Sequence, residues 1–257
     1  MAKKITGLMT KEQRIYGLNA CLGVFKARPE DIIQLFVSKE TLKKVSELTK
    51  YCAKNKKAYH VVSDEELAKI TKATHHEGIS MLIRQKAEKS LEAYLTSKPK
   101  KSLLLALEDV SNPHNIGAIL RSAAHFGVTG LIVTDKKACQ TAACIRTSEG
   151  GSEFVEIFET NDFKKTIKDL AKNNFQIITT SSHAKESLYE VAWQDRSVIV
   201  FGEETNGLSK DLLQAGTLIK IPGTDHVESL NVSVATAVIL SDYYSKVTKN
   251  ANNQRFK

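Results

Sequence analysis

Leu103-Leu104-Leu105-Ala106-Leu107, followed after Glu108–Ser111 by Asn112-Pro113-His114-Asn115-Ile116-Gly117-Ala118-Ile119-Leu120-Arg121, decides how this chain folds. A run of apolar residues without alternation suits a strand buried on both faces, as in a parallel sheet. The period then changes. Ile116, Ile119, Leu120, Ala123 and Ala124 recur at three- and four-residue intervals, the spacing of one helix face. Pro113 halts the chain ahead of that helix and Asn115 is placed to cap it. Gly127 is placed to end it in a left-handed conformation. Gly117 lets another backbone or a ligand come close to it.

Toward the C-terminus the same alternation repeats. Gly130–Thr134, Phe175–Thr180, Ser197–Phe201 and Leu218–Ile221 read as strands, and Phe163, Ile167, Leu170 and Ala171 form a helical stripe. Val232–Val247 reads as a final apolar helix. Strand–helix alternation predicts an α/β fold with a parallel sheet over residues 102–257. Toward the N-terminus, residues 85–101 are charged and close on Ser97-Lys98-Pro99-Lys100-Lys101, which reads as a partly helical linker. Residues 12–84 form a smaller α/β unit. Ile32–Val37, Ala58–Val62 and Ile79–Ile83 are its strands, and Ser63 with Glu66 three residues on has the capping-box spacing.

Charge separates the two units more sharply than the overall +8 suggests. Residues 1–100 hold 20 Lys and Arg against 11 Asp and Glu, a net of +9, whereas residues 101–257 hold 17 against 18, a net of −1. A polyanion such as nucleic acid is therefore expected on the first unit; a basic face with no partner is the bland alternative. No apolar run approaches the roughly 18 residues of a membrane span. The N-terminus lacks a signal-peptide pattern, so a cytoplasmic protein is expected. Cys21, Cys52, Cys139 and Cys144 form no paired metal-ligand spacing and read as buried reduced thiols, with no metal site.

Three segments sit where strands meet helices and can converge on one sheet edge. The first is Asn115-x-Gly117-x-x-x-Arg121. Arg121 is a charge inside an apolar helix, suited to phosphate recognition or, more simply, to a carboxylate such as Glu108. The second is Gly202-Glu203-Glu204-Thr205-Asn206-Gly207, which follows a buried strand; its acids argue against a phosphate loop. The third is Ile221-Pro222, then Ser229-Leu230-Asn231 ahead of the last helix. Ser229 or Asn231 can act as a helix cap, while Leu230 offers an apolar wall for a flat group such as adenine. His75 and His76 read as structural or RNA-contacting. No Ser-His-Asp or Cys-His arrangement can be assigned.

This ordered set closely resembles the SpoU family of RNA ribose 2′-O-methyltransferases. The resemblance covers nearly the whole chain, with Tyr16–Ala20 and His75–Ile79 bordering a small substrate-binding domain. It implies a trefoil-knotted C-terminal domain, a homodimer, S-adenosylmethionine as cofactor, and rRNA or tRNA as substrate. Carried over by position, it implies that Gly202, Ile221, Leu230 and Thr180 hold the cofactor. Asn115, Arg121, Glu204, Ser229 and Asn231 then form the reaction site. Two departures stand out: Glu203 is acidic where relatives more often carry a small or amide residue, and Glu77 stands where many carry Gln. A non-catalytic RNA-binding or assembly factor on the same fold is the alternative.

Overall fold

The computed structural model describes residues 11–203, 205–224 and 226–255, with side chains described as far as residue 247. The chain divides into two compact units, residues 1–87 and 88–257.

In the first unit, β1 (Glu12–Tyr16) leads into α1 (Leu18–Ala27) and β2 (Ile32–Val37). Next come α2 (Lys39–Leu42), α3 (Ser46–Lys54), β3 (Ala58–Val61), α4 (Asp64–Thr71) and β4 (Ile79–Arg84). The sheet order is β1-β4-β2-β3; β4 is antiparallel to both neighbours and β3 is a parallel edge strand. Ile15, Val24, Leu35, Val37, Leu48, Leu67, Ile79 and Met81 fill the core. The capping box is present: Ser63 Oγ accepts from Glu66 N and Glu66 Oε2 accepts from Ser63 N. β1 escaped the sequence reading because its residues, Glu-Gln-Arg-Ile-Tyr, are mostly polar. Pairing with β4 makes it a strand, and of its side chains only Ile15 enters the core.

The second unit opens with α5 (Leu91–Thr96), capped by Ser90. Leu91, Tyr94 and Leu95 pack on the unit's core, and the Tyr94 hydroxyl lies 2.6 Å from Ser102 Oγ. Part of the stretch that reads as a linker thus contributes a packed helix. There follow β5 (Ser102–Leu107), α6 (Pro113–His125), β6 (Gly130–Val133), α7 (Ala142–Thr147), β7 (Glu156–Glu159) and α8 (Phe163–Lys172). The unit is completed by β8 (Gln176–Thr180), β9 (Glu186–Ser187), β10 (Arg196–Phe201), α9 (Lys210–Leu213), β11 (Thr217–Lys220) and α10 (Val232–Arg255).

All neighbours in the seven-stranded sheet are parallel, in the order β7-β6-β5-β10-β8-β11-β9. Every β5 residue is buried because both faces are covered. Leu103, Leu105 and Leu107 pack toward α6 and α10, while Leu104 and Ala106 pack toward α8 and α9. The chain builds outward from β5 through β6 to β7, crosses to β8, and returns to insert β10 between β5 and β8. That reversal opens a crevice at the carboxyl ends of β5 and β10, where ligands bind in open α/β sheets.

The cysteines are buried and unpaired. Burial pushes the Cys139 and Cys144 thiols up to about 12, and raises Cys21 and Cys52 as well.

Candidate active site

Four strands deliver residues to the crevice. The β5 and β10 ends are joined by Glu108 N donating to Phe201 O at 2.9 Å. Thr180, at the end of β8, donates its hydroxyl to Val200 O at 3.0 Å, and Ser181 N donates to Ile219 O at 3.0 Å. Gly202 and Ile221 are the first residues beyond β10 and β11. Gly202, Thr180 and Ile221 therefore lie along one edge of the sheet.

The loop after β10 folds back on itself. Gly207 N donates to Glu203 O at 2.9 Å, Asn206 Nδ2 donates to Glu203 Oε2 at 2.7 Å, and Gly207 takes a φ of 65°. A Cβ on Gly202 would collide with Gly207 and the Leu208 amide, so only glycine fits there. Glu108 Oε2 accepts from Ser209 N at 2.8 Å and anchors the far end of the loop. Glu108 is thus a loop anchor and does not pair with Arg121. Glu204 lies outside the described residues.

At the start of α6 the helix begins earlier than the sequence suggests. Asn112, not Asn115, is the N-cap; its Oδ1 accepts from His114 N at 2.9 Å, and Pro113 occupies the first turn. Proline is well tolerated there because the amide it lacks would have had no partner. Asn115 is therefore freed from capping. Its Oδ1 instead accepts from Asn231 Nδ2 at 3.2 Å. Asn231 Oδ1 accepts from the Ser233 amide at 2.9 Å and the Ser233 hydroxyl at 2.6 Å, which makes Asn231 the cap of α10. Gly127 does turn left-handed after α6, with a φ of 75°. Gly117 serves a protein backbone: a Cβ there would lie 2.7 Å from Cys144 O.

Arg121 lies two turns further along α6. It is exposed and makes no hydrogen bond or ion pair among the described residues. It lines a groove of about 710 Å³ between α6 and α10, together with Thr147, Tyr189, Ser233 and Asp242. Ser233 links this groove to the Asn115–Asn231 pair. Gly151 packs against the α6 backbone at Leu120 and Arg121, where a Cβ would meet Leu120 O at 2.8 Å. Lys246 Nζ binds Asp242 Oδ2 at 3.0 Å and donates to Tyr189 O at 2.9 Å, and Trp193 Nε1 donates to Asp242 Oδ2 at 3.0 Å. These bonds hold α10 and Tyr189 in register beside the groove.

Asn115 and Asn231 thus meet directly, and Arg121 faces the groove that Ser233 shares. Ser229 is exposed and makes no side-chain hydrogen bond among the described residues. Leu230 is an apolar side chain left 44% exposed. Thr147, Tyr189, Ser233 and Asp242 were missed by sequence reasoning. One signal was available: Ser233, Ala237, Ser241 and Ser245 recur every four residues on α10, as do Ala118 and Ser122 on α6, marking a groove of small side chains.

The residues present fit a flat, part-apolar, part-polar ligand such as a nucleoside cofactor. Gly202 keeps its loop close to the sheet edge, Ile221 is half-buried, and Leu230 is apolar surface that such a ligand would cover. Among the described residues no group of three or more His, Cys, Asp or Glu is placed to hold a metal ion. No helix among them is long and apolar enough to cross a membrane.

Comparison with known proteins agrees in both units. A model of the SpoU rRNA methylase family matches residues 102–241, and a model of RNA 2′-O ribose methyltransferase substrate binding matches residues 14–89. The chain is 36% identical over 235 residues to an uncharacterised tRNA/rRNA methyltransferase, YfiF, of Escherichia coli O157:H7, covering 91% of this chain and 68% of that protein. It is 32% identical over 239 residues to the 23S rRNA (guanosine-2′-O-)-methyltransferase RlmB of Shewanella oneidensis, covering 90% and 96%. Its fold matches the SpoU methyltransferase AviRb from Streptomyces viridochromogenes, crystallised with the cofactor AdoMet. There the TM-score is 0.74 at 17% identity, covering 93% of this chain and 91% of that one.

Proposed function

The chain belongs to the SpoU rRNA methylase family, and on that premise we propose that it methylates a ribose 2′-hydroxyl of rRNA or tRNA, using S-adenosylmethionine. The observation that carries this reading is the meeting of Asn115 and Asn231 beside the crevice that Gly202, Thr180 and Ile221 border. A further support is that RlmB, similar over most of both chains, is named for this reaction.

The cofactor supplies an electrophilic methyl group when bound. Gly202, Ile221 and Leu230 hold it through their backbones, and Thr180 lines the same pocket. Asn115, Asn231 and Ser229 orient the ribose. Positioning of reactants can supply as much as about 7–11 kcal/mol of barrier lowering. Arg121 has no partner among the described residues, which leaves its five N–H donors for a ligand. It binds the target phosphate and stabilises the alkoxide charge that grows on the 2′-oxygen.

The first unit grips RNA, which its net charge of +8 over residues 1–87 favours. The second forms a homodimer through the α6–α10 groove, whose lining includes exposed Tyr189 and Val234. The trefoil knot belongs to the same reading and is supported by the insertion of β10 between β5 and β8. Four unpaired cysteines suit a reducing, cytoplasmic setting.

Calorimetric titration with S-adenosylmethionine, followed by mass spectrometry of nucleosides from treated RNA, tests the proposal. Saturable binding near one site per chain and a 2′-O-methylnucleoside are expected. No binding with or without RNA would instead leave a non-catalytic RNA-binding factor.

A further inference from the structure

The first unit carries a row of three flat groups across its sheet. Arg14 on β1 and Phe36 on β2 project from the same face, as does His60 on β3. Arg14 Cζ lies 5.2 Å from the centre of the Phe36 ring. On the other flank of Phe36 the His60 ring is stacked, with centroids 5.2 Å and planes 22° apart. The row ends there, because β3 is the edge of the sheet and all four of its residues are exposed.

Two details make this more than a chance ring contact. His60 is held in place by Gln34, whose Nε2 lies 2.9 Å from His60 Nε2. An amide N–H donating there leaves the His60 Nδ1 position as the ring's remaining donor. A ring fixed before binding loses little freedom on binding. Arg14 makes no ion pair among the described residues and its Nη1 is buried without a partner, so the row keeps a positive charge. Exposed Lys54 ends α3 and exposed Lys56 stands in the turn leading into β3, whereas the exposed acids Asp64, Glu65 and Glu66 lie beyond its other end. An anionic backbone is drawn to the lysine end.

We propose that His60, backed by Phe36 and positioned by Gln34, is a stacking plate for an unpaired base of the RNA substrate. A base laid on the outer face of His60 extends the row, and Lys54 and Lys56 take the adjoining phosphates. Aromatic plates accept any base, so the contact recognises single-strandedness and not sequence. This rests on RNA being the substrate, and it assigns the contact to β3.

The test is binding of a short single-stranded oligoribonucleotide carrying 2-aminopurine to the full chain at fixed salt, read by fluorescence. His60→Ala should weaken binding by about tenfold, within the range for loss of one base–aromatic stack. Its salt dependence should not change, because no phosphate contact is lost. His60→Tyr should restore affinity and 2-aminopurine quenching. Unchanged affinity in His60→Ala would overturn the proposal, as would equal His60 sensitivity with a fully paired duplex, or failure of His60→Tyr to rescue. Wild-type binding without methyl transfer to any RNA would sink the enzymatic reading and leave the plate standing.

Discussion

Asn231 Nδ2 donates to Asn115 Oδ1 at 3.2 Å, tying the cap of the last helix to the first turn of α6 although 116 residues separate them. The same Asn231 caps α10 through its Oδ1. One side chain therefore starts a helix and fixes the crevice at once.

Asn231→Ala should destabilise the protein by about 1 kcal/mol through loss of the cap, seen as a lower denaturation midpoint. Asn115→Ala should destabilise less, because Asn112 caps α6. The double variant should fall short of the sum of the two, since they share a bond. Strict additivity would show that the pair is not coupled.

Gly202→Ala tests the loop after β10. The added methyl meets backbone atoms of Gly207 and Leu208, which cannot swing away as a side-chain end does. A loss of about 1–3 kcal/mol is expected, together with weaker S-adenosylmethionine binding by calorimetry. Gly223→Ala is a suitable control, because a Cβ there meets nothing within 4 Å.

Arg121→Ala should leave thermal stability nearly unchanged, because Arg121 makes no bonds within the described chain. Single-turnover methyl transfer should fall by roughly 100- to 1000-fold, the loss typical of one donor to a developing oxyanion. Arg121→Lys should recover only part of it, since lysine lacks the planar fork. A wild-type rate in Arg121→Ala would remove this residue from the reaction.

The thiols predict both reactivity and a pH limit. Thiolate is the nucleophile, and burial holds Cys139 and Cys144 near about 12 against an ordinary value of 9.0. Iodoacetamide at neutral pH should modify the folded chain slowly and the unfolded chain at all four positions. Above pH 9 the unfolded state loses thiol protons that the folded state keeps. Stability should therefore drop as pH rises from 9 toward about 12, measured by denaturant midpoints.

Much of this was legible in the sequence for physical reasons. The unalternating run Leu103–Leu107 requires cover on both faces, and it received α6 and α10 on one side and α8 and α9 on the other. Ser63 and Glu66 announced their capping box through spacing alone. The cap of α6 was misread because Asn112 and Asn115 both flank Pro113. Proline suits the first helical turn, which makes Asn112 the cap and leaves Asn115 to meet Asn231. β1 was invisible because its stability comes from a partner strand distant in sequence. The groove beside Arg121 left one local trace, the four-residue recurrence of small side chains on α6 and α10, but that these two helices become neighbours is encoded in neither.

The position of β10 also sets the order in which the chain can be assembled. β5 acquires its β6 neighbour from nearby sequence, but its other edge waits for Arg196–Phe201. During synthesis the Leu103–Leu107 strand therefore emerges with one hydrogen-bonding edge open until most of the unit has left the ribosome. Pairings this distant in sequence are slow to form and expose apolar strand edges meanwhile. The crevice is completed last of all, because Asn231 follows every strand. A nascent chain cut short before α10 would present a sticky half-sheet to its neighbours and to chaperones, and would have no crevice with which to meet RNA.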